Sequence, residues 1–193
     1  MIRLLGVLAG FSVVLHLAVA APVPTHLFPK DPPLAFPTRV GTTWVYEGTS
    51  GKQTLVISEV KEKDGAKLVT TVWVSEDGKR TPNMVQLINE TGVYIVSEDG
   101  EKHKEPWLFV KLPYREDQTW EPKVGPSTLG KMTAGPIERI RVPAGEFTAA
   151  RIDWEISFGN GKTQKVTYWH AHRVGLVRLD EQMKLKSFTP GKD

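Results

Sequence analysis

Alternation of apolar and polar positions is clearest in residues 151–158, RIDWEISF. The apolar members fall on one face of an extended chain: Ile152, Trp154, Ile156 and Phe158. Because successive side chains of a strand point to opposite faces, this pattern predicts a strand with one buried side and one solvent-facing side. The strand ends at Gly159-Asn160-Gly161, and residues 162–170 are predicted to return beside it as a second strand.

The length of that turn decides which residues of the hairpin face each other. A two-residue Asn-Gly loop would place charged side chains among the apolar ones, whereas a three-residue loop with Gly161 in the left-handed conformation would not. A slip of one residue would turn every side chain to the other face, so the pattern favours the three-residue loop. That loop predicts these cross-strand pairs: Ile152–Tyr168, Trp154–Val166, Glu155–Lys165 as a salt bridge, and Arg151–Trp169 as a cation–π pair.

Short apolar runs between turn signals continue this picture through residues 39–190. The predicted strands are 43–46, 53–60, 67–74, 83–88, 92–96, 107–112, 136–142, 147–158, 162–170, 174–180 and 183–188. Asp-Gly and Asn-Gly pairs favour tight hairpin turns, and the string Val-Ser-Glu-Asp-Gly occurs at both 74–78 and 96–100. We therefore predict an all-β domain: a single large curved antiparallel meander sheet or half-barrel, because roughly ten strands are near the limit for an open twisted sheet.

The residues ahead of this domain indicate export. Residues 1–20 have the layout of a secretory signal peptide, with Arg3, an apolar run of 17 residues from Leu4, and the small-x-small sequence Ala18-Val19-Ala20. We expect cleavage after Ala20, a secreted or periplasmic protein and no remaining transmembrane segment; a retained membrane anchor is the alternative. Residues 21–38 contain six prolines, which predicts an extended tether.

Composition restricts the chemistry further. The chain has no cysteine, so disulfides, thiolate nucleophiles and a cysteine-linked lipid anchor are excluded. Its formal charge of +3 is too small to indicate a nucleic-acid or anionic-lipid partner. The partners are left open: an apolar ligand or another envelope protein.

Two of the five histidines, His170 and His172, are one residue apart. Strand parity alone would place them on one face, as two ligands of a metal site. In the predicted register, however, His170 lies opposite Ala150 and continues the apolar face, whereas His172 precedes the turn at Arg173-Val174-Gly175. We therefore expect no metal and no cofactor. A metal-dependent hydrolase that uses His170 and His172 is kept as an alternative.

Other candidate motifs lack their required context. Residues 125–131 spell G-x-x-x-x-G-K, but Met132 stands where a phosphate-binding loop needs Ser or Thr, and no helix is predicted to follow. The carboxylates Glu116, Asp117 and Glu121 flank Trp120 in what we interpret as a solvated loop rather than an acid–base pair. No catalytic residue is predicted.

Three segments resemble a known family. Residues 168–177 (YWHAHRVGLV), 142–147 (VPAGEF) and 36–46 (FPTRVGTTWVY) resemble motifs of secreted bacterial proteins of the DUF3108-like type. The resemblance implies a strongly curved antiparallel sheet in the cell envelope, somewhat like the half-barrel of lipoprotein carriers, and no established activity. Where His170 stands the family commonly has an aromatic residue, and His172-Arg173 replace its Pro-Gly.

These observations favour a secreted cell-envelope protein without enzymatic activity, with a binding or structural role and an unknown ligand. The alternative is a carrier of an apolar ligand, lipid or peptide, in an aromatic-lined concavity of the sheet. The six tryptophans supply the aromatic surface that such a carrier needs.

Overall fold

The computed structural model describes residues 34–124, 127–128, 130–158 and 161–192, and these residues form β-strands and no helix. The strands are β1 (Thr43–Gly48), β2 (Gly51–Lys63), β3 (Ala66–Val74), β4 (Arg80–Asn89), β5 (Gly92–Glu98), β6 (Glu101–Lys111), β7 (Thr119–Trp120), β8 (Lys123–Val124), β9 (Ser127–Thr128), β10 (Gly130–Val142), β11 (Gly145–Ser157), β12 (Thr163–Ala171), β13 (Gly175–Leu179) and β14 (Met183–Thr189). In this part of the chain there is accordingly no apolar helix long enough to cross a membrane.

Twelve of the strands form one antiparallel sheet, which confirms the all-β prediction. The order is β6-β5-β4-β3-β2-β1-β14-β13-β12-β11-β10-β7, with β8 and β9 in a separate small pair. The sheet thus consists of two meanders, β1–β6 and β10–β14, with the short β7 paired to β10 at the outer edge. The meanders are joined because the first strand pairs with the last. In that joint Trp44 lies opposite Phe188, and Tyr46 lies opposite Leu185.

The β11–β12 hairpin has the predicted register. Trp154 lies opposite Val166, Glu155 opposite Lys165, and Phe158 N donates to Lys162 O at 2.9 Å across the three-residue loop. Gly161 has a φ of +76°, which glycine adopts without a steric penalty.

Two side-chain partners in this hairpin differ from the prediction. Lys165 forms its ion pair with Asp153, at 3.4 Å, instead of with Glu155. The cation over the Trp169 ring is Arg178, at 4.8 Å, because Arg151 is held by Asp153 on its own strand. Period-two alternation assigns a residue to a face, but several partners on that face compete for each charge.

Several strands are longer than the pattern predicted, and the largest extensions are at the starts of β6 and β10. β6 begins at Glu101 instead of 107, and β10 begins at Gly130 instead of 136. The added part of β6, EKHKEP, is charged and mostly exposed, so its sequence carries no alternation to detect. Charged residues and proline are usual on an edge strand such as β6, where they prevent pairing with another chain.

The sheet is strongly curved and nearly closed, in a barrel-like shape. Register shifts interrupt most of its ladders, for example between Ile57 and Glu59, and such bulges bend a strand and increase its twist. As a result, rings on edge strand β6 reach β11 and β12, which lie near the other edge. The ring centroids of Trp107 and Trp154 are 5.8 Å apart, and those of Phe109 and Tyr168 are 5.3 Å apart.

Two apolar clusters fill the interior of this curved sheet. The first has its centre on β5, β6, β10 and β11, with the fully buried Val93, Met132 and Ile152. The second lies around β1–β3, β13 and β14, with Tyr46 and Leu185 at its centre. Burial of this apolar surface is the main favourable contribution to folding in a domain that has no disulfide.

The predicted signal peptide, residues 1–20, and most of the predicted tether lie outside the described residues. The last part of the tether, residues 34–38, contains no strand but packs on the sheet. Leu34 belongs to the first cluster, and Arg173 N donates to Ala35 O at 2.8 Å. Packing of the chain therefore begins before Arg39.

Candidate ligand-binding cavity

A cavity of about 280 Å³ lies between the two apolar clusters. Its walls come from β1–β4, β6 and β12–β14, together with the segment before β1. Most of its lining is aliphatic or aromatic, and none of the described residues that line it carries a charge. The aromatic members of the lining are Phe36, Trp44, Tyr46, Trp73, Phe109 and Tyr168.

β13 and β14 pair only briefly along one wall of the cavity. These strands pair through Arg178 with Lys184 and through Leu179 with Met183. Side chains of β1 fill the opening beyond that point: Trp44 Nε1 donates to Val174 O at 2.6 Å, and Tyr46 OH donates to Leu176 O at 2.9 Å. The carbonyls of Val174, just before β13, and of Leu176 on β13 thus gain hydrogen bonds from side chains in the region where β14 no longer runs alongside.

Both bridging rings are deeply buried. Trp44 is 5% exposed and Tyr46 is 1% exposed. Burial raises the pKa of Tyr46, so its hydroxyl stays protonated and keeps donating. Gly175 lies beside them at a φ of +83°, where an added Cβ would lie 3.5 Å from Pro37 Cδ.

The β10–β11 hairpin extends past the end of β12 and closes the interior at the second cluster. Ala144 N, in the turn of that hairpin, donates to Leu185 O on β14 at 2.9 Å. Ile140, Val142 and Phe147 pack into the second cluster from the same extension. This contact gives the separated edge of β14 a partner that the order of strands in the sheet does not supply.

His170 is the buried polar ring of the cavity wall. It lies on β12, opposite Ala150 on β11 as predicted, and is 3% exposed. Burial lowers its pKa from 6.5 to about 3, so the imidazole is neutral near neutral pH. Its Nδ1 has no hydrogen-bond partner among the described residues, and leaving such a buried group unsatisfied costs about 1–3 kcal/mol.

A second polar feature of the wall comes from β3 and β4. Thr71 Oγ1 donates to Met84 O at 3.1 Å and accepts from Asn83 Nδ2 at 2.9 Å. Thr71 is 5% exposed, so these bonds satisfy a hydroxyl that would otherwise be buried without a partner. This part of the wall therefore has its hydrogen bonds largely provided by the protein.

The structure separates the environments of the two histidines. β12 ends at Ala171, and His172 lies in the turn that follows, as predicted. Among the described residues no three His, Asp or Glu side chains come together as metal ligands. Arg173 in this turn has a φ of +58°, at a position where the resembling family commonly has glycine.

The other sequence candidates do not reach the cavity. Trp120 belongs to the first cluster, whereas Glu116, Asp117 and Glu121 beside it are exposed. Within the G-x-x-x-x-G-K stretch, residues 125, 126 and 129 lie outside the described residues. From Gly130 the chain continues as strand β10, whereas a phosphate-binding loop leads into a helix.

Sequence reasoning expected an aromatic concavity but did not identify its members. Trp44 and Trp73 line the cavity, whereas Trp107 and Trp154 pack together in the first cluster and Trp169 lies partly exposed beside Glu138. Phe36 was missed because it lies in the proline-rich segment. Strand parity could have found Trp44 and Tyr46 as a same-face pair, since they are two residues apart on β1.

Comparison with known proteins identifies a solved structure that shares the fold of this chain. No family model matches the chain, and no curated protein matches its sequence. A solved structure of a presumed exported protein with a YmcC-like fold, from Bacteroides fragilis NCTC 9343, is 13% identical; the match covers 81% of this chain and 99% of that one, with a TM-score of 0.50. A presumed lipoprotein from Parabacteroides distasonis ATCC 8503 is 17% identical over 80% of this chain and 97% of that one, with a TM-score of 0.47. The first likeness shows a shared fold.

Proposed function

We propose that this protein is an exported cell-envelope protein, without enzymatic activity, that binds a small apolar molecule inside its curved sheet. The observation that carries the proposal is the cavity of about 280 Å³ with its uncharged, largely apolar lining. Small-molecule sites are typically concave and mostly apolar, with a few polar groups that fix orientation, and this cavity has that character. The proposal includes no catalytic residue, metal or cofactor.

The volume sets the size of the ligand. A cavity of about 150 Å³ holds benzene, which has six carbon atoms, so about 280 Å³ would hold roughly eleven non-hydrogen atoms. That is a medium-length chain or a fused ring pair. The proposed ligand is therefore much smaller than a complete phospholipid.

Export is supported by the signal-like residues 1–20 and by the fold shared with a presumed exported protein. We propose cleavage after Ala20, with the mature protein in the periplasm or secreted. Membership of the DUF3108-like family remains a proposal, supported by the three short motifs. The alternative hydrolase would need both imidazoles in one pocket, but His170 faces the cavity and His172 lies in the turn.

Binding of naphthalene to the mature protein, followed by saturation-transfer NMR and calorimetry, tests the proposal. Val69, 1% exposed in the cavity wall, is changed to Phe so that the added ring occupies the cavity. The control is Val40→Phe, the same exchange at a site that is 50% exposed. We expect saturable binding to the parent and to Val40→Phe, and a loss of about tenfold or more in Val69→Phe.

Absence of saturable binding to the parent would contradict the proposal, as would equal affinity in both variants. Circular dichroism and thermal melting of Val69→Phe confirm that the variant is folded. Native mass spectrometry of the protein purified from its own envelope would then identify the natural ligand as a mass adduct that Val69→Phe lacks.

A further inference from the structure

The Nδ1 atom of His170 is the least satisfied polar atom of the cavity wall. The side chain is 3% exposed, lines the cavity, and has no hydrogen-bond partner for Nδ1 among the described residues. Its ring neighbours are all aromatic: the ring centroids of Phe36, Phe109 and Tyr168 lie 5.6, 5.7 and 6.2 Å away. These carbon faces cannot replace a hydrogen bond to a ring nitrogen.

Buried polar atoms are nearly always hydrogen-bonded, so an orphaned nitrogen in a cavity wall indicates a partner that enters from the cavity. A neutral imidazole has one N–H donor and one acceptor nitrogen, and the tautomer decides which of them Nδ1 is. Burial keeps the ring neutral, since its pKa is lowered to about 3. The partner therefore meets an uncharged nitrogen.

The other buried polar side chain of the wall already has its partners. Thr71 Oγ1 donates to Met84 O and accepts from Asn83 Nδ2. His170 therefore differs from Thr71, although both are buried and both line the same cavity. A polar group on a ligand therefore adds most to the binding free energy when it lies beside His170.

The lining also restricts the charge of that group. Of the described residues around the cavity none is Asp, Glu, Lys or Arg, so an ionised group inside it would lose its hydration without meeting a counter-charge. An uncharged group avoids that loss. Among uncharged groups a hydroxyl both donates and accepts, so it can bond Nδ1 in either tautomer.

We propose that the cavity selects an apolar molecule that carries an uncharged hydroxyl, and that this hydroxyl hydrogen-bonds Nδ1 of His170. The inference rests on the proposed function, because it assumes that the cavity binds a ligand. It adds the chemical class of that ligand and names the residue that distinguishes it from a plain hydrocarbon.

Two probes of equal size and shape test this inference: 2-naphthol, and 2-methylnaphthalene, in which a methyl group replaces the hydroxyl. Both are uncharged at about pH 7, because a phenolic hydroxyl titrates near 10. Their dissociation constants are measured by calorimetry for the parent and for His170→Phe, which keeps an aromatic ring but removes both nitrogens. The ratio of the two constants cancels any general change in the cavity.

We expect the parent to prefer 2-naphthol, and this preference to fall by about tenfold in His170→Phe, the effect of losing one buried hydrogen bond. Binding of 2-methylnaphthalene should be unchanged or tighter in the variant. If both probes bind but their ratio is the same in the two proteins, the hydroxyl inference is wrong and the proposed function stands. If neither probe binds the parent, the proposed function itself is contradicted.

A measurement on the unchanged protein covers the case in which His170→Phe folds poorly. With ¹⁵N-labelled histidine, the Nδ1 resonance of His170 should shift on addition of 2-naphthol and stay in place with 2-methylnaphthalene. The resonances of His103 and His172 serve as controls, since neither residue lines the cavity. An Nδ1 resonance that responds equally to both probes would overturn the inference.

Discussion

The β11–β12 and β13–β14 hairpins are close in the sheet but are built on different principles. The first has an unbroken register from Ser157 opposite Thr163 to Ala149 opposite Ala171. The second pairs through Arg178 with Lys184 and through Leu179 with Met183, and then its strands separate. In the first, alternation along the chain specifies the pairing; in the second, side chains from elsewhere complete the structure.

The difference shows why the cavity lies where it does. Backbone ladders hold β11 and β12 at the normal strand spacing, so their inner side chains pack with the first cluster, and Tyr168 and His170 of β12 also reach the cavity. Where β13 and β14 separate, the wall consists of Trp44 and Tyr46, whose partners are 130 residues away in the sequence. Trp44 and Tyr46 line the cavity on this side.

The largest expected effect on stability comes from removing one of the rings that bridge β1 to β13. Trp44→Ala removes a ring that is 5% exposed together with the donor to Val174 O, so we expect a loss of about 3–5 kcal/mol in the free energy of unfolding. Trp169→Ala is the matched control. Trp169 is half-buried on β12, in the first hairpin, where it lies under Arg178 and donates to Glu138 Oε1, so its loss should cost less, about 1–2 kcal/mol.

Urea unfolding followed by circular dichroism measures both free energies. Equal losses in the two variants would show that the separated hairpin does not depend on the bridge from β1.

The next largest effect is a pH dependence of the free energy of unfolding. It arises from His170, a titratable side chain on the buried face of β12. Its pKa is lowered to about 3 in the folded protein and is near 6.5 in the unfolded chain, so below pH 6.5 the unfolded chain binds a proton that the folded protein does not. Stability therefore falls as the pH is lowered from 6.5 towards 3. Between pH 7 and pH 5 the expected loss is about 2 kcal/mol.

His170→Phe lacks this titration, so the difference between parent and variant isolates it, while the other histidines and the carboxylates cancel. The measurement is urea unfolding at about pH 7 and pH 5. Parallel losses in the two proteins would mean that His170 takes up a proton without unfolding, and hence that water reaches its ring.

The smallest expected effect is at the turn between the two regions. Arg173 has a φ of +58°, a left-handed conformation that a side chain disfavours and glycine does not. Arg173→Gly should therefore raise the free energy of unfolding by about 0.5–1 kcal/mol, because the relieved strain of roughly 1–2 kcal/mol is partly offset by the greater freedom of glycine in the unfolded chain; thermal melting measures the gain. Arg173→Ala is the control: it removes the same side chain but keeps the strain, so a gain of equal size in that variant would refute the explanation.

The sequence allowed much of the sheet to be predicted. Alternation over residues 151–158, with the turn at Gly161, was enough to derive the β11–β12 register, and the Asp-Gly turns separated the strands of the first meander. The same register placed His170 on the apolar face and His172 beyond the strand. These predictions succeed because they depend on neighbours in the sequence, where one residue of slip would expose an entire apolar face.

Other features depend on residues that are distant in the chain. The pairing of β1 with β14, the ring bridge from Trp44 and Tyr46 to β13, and the contact of Ala144 with Leu185 each join segments far apart in sequence. No local pattern encodes them, because an apolar residue on a strand indicates burial but not the partner against which it is buried. The sequence by itself therefore determined most of the longer strands, their faces and one hairpin register, but not the short β7, β8 and β9. The number of predicted strands already indicated a curved sheet. Only the tertiary structure decided which side chains enclose a cavity, because enclosure depends on contacts between strands that are distant in the sequence.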